Sequence, residues 1–314
     1  MAFAFTFPGQ GSQSIGMGKD LAEAFPNARH IFEEVDDALR QKLSHLMWEG
    51  PIEDLSLTTN TQPALMASSI AAMTVLAKDF GIDVAEAKYA AGHSLGEYSA
   101  LCAAGVINLR DTAKLLRIRG DAMQNAVPVG KGAMAALLGA SVEDAEAAAA
   151  AGAKHGICQI ANDNATGQIV LSGETDAVQA ACDAATEMGV KKAMMLNVSA
   201  PFHCDIMSPA ADAMRGALAD VTFNTPSVPI INNVQAMPVT DPEQLKNDLI
   251  AQVTGRVRWR ESIEWMAANG IETFAEPGTG KVLTAMLKRI VKDIKGVALN
   301  SPESLEAFAK EIKG

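Results

Sequence analysis

The stretch Gly92-His93-Ser94-Leu95-Gly96 constrains this chain more than any other, because it fits Gly-x-Ser-x-Gly, the pattern of a nucleophile elbow. Its flanks fit as well. Residues 88–91 are short and mostly apolar, which predicts a buried strand, and residues 95–104 favour a helix that Gly105 stops. A strand, a tight turn and a helix are what an elbow requires. In that geometry the Ser94 hydroxyl stands at the apex, and the two glycines let strand and helix pass without a Cβ clash. The N–H of Leu95 then lies at a helix N-terminus, where an oxyanion can be held. The blander alternative is a glycine-flanked helix start with Ser94 as its N-cap.

A serine hydroxyl is a poor nucleophile at neutral pH and needs a base within hydrogen-bond reach. The chain has five histidines. His30, His45 and His155 sit on charged or peripheral segments, and His93 is on a turn expected to send its ring elsewhere. His203 remains, at a loop-to-helix junction among small and apolar residues, where a rigid scaffold can present a catalytic group. A packed or capping histidine is the competing reading. No acid declares itself as the group that orients the imidazole: Asp205 fits a helix cap, and a backbone or amide carbonyl is the alternative.

The remaining chain alternates strands and helices, which predicts an α/β fold around a parallel sheet. Phe3, Phe5 and Phe7 alternate with smaller residues in an opening strand that breaks at Pro8 into Gly9-Gln10-Gly11-Ser12-Gln13. Ser14 stands where a dinucleotide loop needs its third glycine, so the N–H of Gln10 is read instead as a second oxyanion donor. Residues 63–80 predict a buried helix with Pro63 in its first turn, and residues 109–126 an amphipathic one. On the latter, Arg117 and Arg119 diverge by about 200°, so one faces solvent while the other turns inward. Residues 128–132 have the composition of a hinge. Beyond it the order β-α-β-β-α-β describes a ferredoxin-like unit over 128–198, inserted between 1–127 and 199–314. Later segments predict a strand at 228–233, helices at 242–253 and 262–269, a strand at 271–275 and a helix at 281–295. Gly278-Thr279-Gly280-Lys281 is not a phosphate loop, since Ala275 and Val282 occupy positions that need glycine and a hydroxyl residue.

Composition narrows the function classes. The 314 residues are 48% hydrophobic and 20% charged, ordinary for a globular protein that folds without staples. The four cysteines are scattered, with no spacing that would hold zinc, so no metal and a reducing cytoplasm are expected. No signal peptide or membrane span is read. A net charge of -11 argues against nucleic acid or an anionic membrane as the main partner.

Four ordered motifs then align with one family. Phe7-Pro8-Gly9-Gln10-Gly11-Ser12-Gln13, Gly92-His93-Ser94-Leu95-Gly96-Glu97, Arg119-Gly120 followed by Met123-Gln124, and Ser199-Ala200-Pro201-Phe202-His203 resemble the malonyl-CoA:acyl carrier protein transacylases of bacterial fatty acid synthesis. The resemblance covers essentially the whole length. It implies an α/β hydrolase-like large subdomain with a ferredoxin-like insert. It implies Ser94 as nucleophile, His203 as base, the N–H groups of Gln10 and Leu95 as the oxyanion hole, and Arg119 as the grip on the malonyl carboxylate. Gln252 matches the residue whose main-chain carbonyl orients the histidine, and Asn162 a position beside the cleft. Malonyl-CoA is then a substrate, no cofactor is needed, holo acyl carrier protein is the partner, and a monomer is the default state. An acidic carrier needs a local basic surface, for which Arg256, Arg258 and Arg260, or Lys288, Arg289, Lys292 and Lys295, are the densest candidates. Two competing readings are an esterase or thioesterase delivering the acyl group to water, and a non-catalytic acyl-binding protein.

Overall fold

The computed structural model describes residues 2–128 and 130–314, so the expected hinge at 128–132 includes one residue, Val129, outside the described residues. In chain order the strands are β1 (Phe3–Phe7), β2 (Tyr89–Gly92), β3 (Gly132–Leu138), β4 (Cys158–Ala165), β5 (Gln168–Glu174), β6 (Lys192–Met195), β7 (Ile230–Ile231), β8 (Pro238–Val239), β9 (Thr273–Pro277) and β10 (Lys295–Leu299). One sheet has the order β10-β9-β1-β2-β7-β8 and is parallel apart from its edge strand β8. Parallel strands covered on both faces are apolar on both, and β1 shows it: Phe3, Phe5 and Phe7 enter one core and Ala4 the other.

The second sheet is antiparallel with the order β4-β5-β3-β6, the ferredoxin-like arrangement, so the α/β class with a small companion sheet holds. Period-two alternation divides its side chains. Ala135, Leu137, Ile169 and Leu171 pack under the helices Val142–Gly152 and Thr175–Glu187, whereas Met134 and Val170 point to the opposite face with Leu196, Val198 and Phe202. That opposite face looks onto the end of β2. A parallel bridge between Asn162 and Val257 and the Arg260–Asp163 ion pair, 2.8 Å, tie the second sheet to the segment that leads into the helix Trp259–Ala268.

Three expectations need correction. The helix expected at 63–80 is Thr58–Lys78, and Pro63 lies inside it rather than in its first turn. Its polar first turn resembles a loop in sequence, but Asn60 Nδ2 donates to the Asp54 carbonyl and Thr61 Oγ1 to that of Leu55, so those side chains are satisfied while buried. The helix expected at 281–295 is Val282–Ile290, after which the chain forms β10 and a final helix, Pro302–Lys313, neither of which was expected. The last strand of the insert, which the order over 128–198 carries to the end of the unit, ends at Met195, where the chain leaves β3. Among the described residues no helix is long and apolar enough to cross a membrane.

The elbow is the tightest point of the fold. A Cβ on Gly92 would lie 1.9 Å from the backbone of Gly96, and one on Gly96 would lie 2.2 Å from the Phe7 carbonyl oxygen. Backbone cannot yield as a side-chain tip can. Gly96→Ala is therefore expected to cost at least about 3 kcal/mol, the upper range for an overpacked core, read as a lower urea midpoint. A midpoint within error of the parent chain would contradict this account of the turn.

Candidate active site

β2 ends at Gly92, and Ser94 turns the chain into the helix Leu95–Ala103 with φ 54 and ψ -111, a strained left-handed conformation for a residue with a Cβ. Asn233, just past β7, secures the turn: its Oδ1 accepts the Ser94 N–H at 2.7 Å and its Nδ2 donates to the Gly92 carbonyl at 2.7 Å. Ser94 holds the N-cap position of that helix without capping it, since its side chain makes no capping bond.

Ser94 Oγ lies 2.8 Å from His203 Nε2. His203 Nδ1 donates to the Gln252 main-chain carbonyl at 2.8 Å, and a carbonyl only accepts, so the proton of the neutral ring is on Nδ1 and Nε2 is free to take the serine proton. His203 also has a positive φ, 59, and is 4% exposed. Burial first, then the nearby Arg119 cation, push its pKa down to about 3, against the smaller opposing effect of the Gln252 carbonyl. The resting imidazole is neutral, as a general base must be. Asp205 does not orient it and does not cap its helix; its carboxylate and its N–H both engage the side chain of Gln159.

Arg119 is 1% exposed, on the helix Leu109–Asn125. The glycine after it explains the approach, because a Cβ on Gly120 would lie 2.7 Å from Thr59 Cα. Helix against helix at that distance brings the guanidinium onto Gln62 Oε1 at 2.8 Å, Gln252 Oε1 at 2.9 Å and Ser94 Oγ at 3.1 Å. Its Nε is buried with no hydrogen-bond partner, so the cation has donor capacity in reserve. Arg117 takes the other direction, half-buried, and bonds Gln41, Thr59 and Asn60.

A cleft of about 220 Å³ opens over these groups, with Gln10, Leu95 and Asn162 in its lining. Gly9 packs so tightly on the elbow that a Cβ there would lie 2.7 Å from the His93 carbonyl oxygen, which sets Gln10 beside Ser94. Among the described residues neither the Gln10 nor the Leu95 main-chain N–H has a protein acceptor. Met134, Val170, Leu196, Val198 and Phe202 from the second sheet and its exit form an apolar wall. His93 also lines the cleft, contrary to expectation: its Nε2 meets Asn164 Oδ1 at 2.7 Å and its ring lies edge-on to Trp259. Among the described residues no group of three or more His, Cys, Asp or Glu side chains is placed to hold a metal ion.

Sequence reasoning missed three contributors. Glu97 is fully buried, and its Oε2 accepts the Asn233 N–H at 2.9 Å and Gln252 Nε2 at 2.8 Å. Asn233 was passed over although strand ends in α/β sheets commonly carry site residues. Gln252 was credited with its carbonyl alone, whereas its side-chain amide joins Arg119 to Glu97 and also donates to the Ser94 carbonyl at 3.0 Å. The signal available for Glu97 was an acid one helical turn after the serine in an otherwise apolar helix. Of the two basic clusters, the first is internally neutralised: Arg256 and Arg258 pair with Glu261, and Arg260 with Asp163 and Glu264. In the second, Lys295 pairs with Glu311.

Fold and site together describe an α/β protein whose serine and histidine are placed for acyl transfer beside a buried cation. Known proteins agree with that class. The acyl transferase domain family matches residues 4–305, and the chain belongs to that family. A malonyl CoA-acyl carrier protein transacylase of Bacillus subtilis (strain 168) is 44% identical over 99% of this chain and 97% of the relative, and that of Escherichia coli (strain K12) is 44% identical over 97% and 98%. An acyl-carrier-protein-S-malonyltransferase from Bartonella henselae superposes with a TM-score of 0.98 at 55% identity, covering 100% of both chains. A malonyl-transacylase solved in complex with a type II PKS acyl-carrier protein superposes at 0.95 with 40% identity, over 99% of this chain and 100% of the other.

The depressed imidazole pKa has a consequence for stability. Between its ordinary value of 6.5 and about 3 the unfolded chain binds a proton that the folded chain refuses, so stability falls as pH drops through that window. From about pH 7 to about pH 5 the loss from this group is about 2 kcal/mol. His203→Gln is expected to shrink the pH dependence of the urea unfolding free energy by about that amount; a slope equal to the parent's would show that the folded imidazole titrates normally.

Proposed function

We propose that the chain transfers the malonyl group of malonyl-CoA to the phosphopantetheine thiol of an acyl carrier protein, supplying malonyl carrier for fatty acid synthesis through a malonyl-Ser94 ester. The reading is supported by its relatives, named as malonyl transacylases, and by the solved neighbour that holds an acyl-carrier protein. One observation carries the choice of acyl group: a buried guanidinium 3.1 Å from the serine oxygen, where a free carboxylate on a short acyl chain would meet it.

In the first half-reaction His203 Nε2 takes the Ser94 proton as Oγ attacks the thioester carbonyl. The N–H groups of Gln10 and Leu95 receive the oxyanion, and collapse expels the coenzyme A thiolate, which takes the proton from His203. In the second, the pantetheine thiol gives its proton to His203 and attacks the ester, and Ser94 leaves with that proton. Gln252 holds the imidazole through its carbonyl throughout. Arg119 pairs with the malonyl carboxylate, a contact acetyl cannot offer. Asn162 lines the cleft as a contact to the acyl end. The division into 1–127 with 199–314 and an insert at 128–198 belongs to the same reading, supported by the separate core of the second sheet.

Intact mass decides the chemistry. Malonyl-CoA without carrier should add one malonyl group, absent in Ser94→Ala; no adduct favours a non-catalytic acyl binder, and steady malonate release without an adduct favours a hydrolase. Arg119→Ala should lose about 3 kcal/mol of discrimination between malonyl- and acetyl-CoA, roughly a hundredfold in the ratio of kcat/KM values. An unchanged ratio would remove Arg119 from substrate selection.

A further inference from the structure

Arg119 carries a full charge in the interior, and a buried cation demands compensation. The acid that provides it is Glu97, and the two do not touch. Gln252 stands between them, its Oε1 accepting from Arg119 Nη2 at 2.9 Å and its Nε2 donating to Glu97 Oε2 at 2.8 Å, so the amide dipole lies between cation and anion. A direct ion pair would consume the guanidinium donors. Spacing by one amide balances the charge and leaves donors available. The second carboxylate oxygen, Oε1, is buried without a partner, which is costly for an anion and makes this carboxylate ready to accept a proton.

We propose that Glu97 is a positioning residue that sets substrate preference: it is the resident counter-charge of Arg119, acting through the side chain of Gln252, and the carboxylate of a dicarboxylic acyl substrate competes with it. The inference rests on the reading of Arg119 as the carboxylate grip. When the substrate carboxylate pairs with Arg119, two anions share one cation, and Glu97 takes a proton from solvent. The charged groups around it are Arg119 on the helix Leu109–Asn125, which favours the anion, and Asp248 on the helix Pro242–Thr254, which disfavours it. Tyr98 lies on Glu97's own helix with its phenol pushed up to about 12, and His203 lies beyond Gln252, neutral. Burial sets the starting point, lifting Glu97 to about 7.

The sign follows. Below this value Glu97 is neutral and Arg119 is open to the substrate anion; above it the ionised Glu97 opposes substrate binding. KM for malonyl-CoA should therefore rise roughly fivefold between about pH 6 and about pH 8, while KM for acetyl-CoA, which shares the coenzyme but has no free carboxylate, stays level. Glu97→Gln keeps an acceptor for Asn233 and Gln252 but removes the charge. Its malonyl-CoA KM should stay at the low-pH value throughout with kcat little changed, whereas its kcat with acetyl-CoA should fall, because only there must His203 become cationic beside an Arg119 with no carboxylate to balance it. Glu97→Asp, which keeps the charge, should restore a pH-dependent KM even where the amide variant folds poorly. A merely structural Glu97 would lower the melting temperature and leave the KM ratio unchanged at every pH. The proposal is overturned by a parent KM ratio that does not change with pH, or by a Glu97→Gln enzyme that keeps the parent's dependence. Either result with Ser94 still acquiring a malonyl group leaves the assigned function standing, whereas failure of that labelling removes the function itself.

Discussion

Keeping one guanidinium charged inside the protein is the constraint that organises this site. Arg119 has almost no contact with water, so every charge and dipole near it either supports the cation or is shaped by it. Gln62 and Gln252 present carbonyl oxygens to it, Glu97 balances it at one remove, and the imidazole of His203 is held neutral partly because the cation is close. These are low-dielectric effects, and they require the dry interior that two packed helices and the elbow provide. The tight glycine contacts at residues 92, 96 and 120 are therefore electrostatic devices as well as packing ones.

Gln252 shows how few residues couple the parts. Its backbone carbonyl fixes the tautomer of His203, its side-chain oxygen holds Arg119, and its side-chain nitrogen reaches Glu97 and the Ser94 carbonyl. Asn233 does the same for the strand end and the serine N–H. Imidazole, serine and cation thus share a frame, so a displacement of one is felt by the others. Substitutions at 97, 233 and 252 would not combine additively for that reason.

Much of this was legible in the sequence, for physical reasons that also explain what was not. The elbow was readable because its steric demand falls on two glycines at fixed spacing around Ser94. The strand alternation at Phe3, Phe5 and Phe7 was readable because a pleat has period two. The true start of the helix Thr58–Lys78 was not, because Thr58, Asn60 and Thr61 resemble a loop until their buried partners are known. The final strand and helix were missed where lysines run through 288–295, because β10 is an edge strand and charged side chains suit an edge. His203 emerged by elimination among five histidines, but the polar frame behind it joins residues 94, 119, 233 and 252, and hydrogen bonds across such separations leave no local pattern.

The second sheet brings no charged group to the cleft over Ser94, yet it supplies one of the cleft's walls. Met134, Val170, Leu196, Val198 and Phe202 close the cleft with apolar surface opposite the serine and the cation. A water molecule against that wall finds few hydrogen-bond partners, so under the proposed function an ester on Ser94 would be poorly exposed to hydrolysis, whereas a thiol on a long flexible arm would need only a narrow approach. Under the proposed function, the polar frame on one side and the apolar wall on the other would divide the work: the frame selects an acyl group by its charge, and the wall favours a thiol over water as the acceptor.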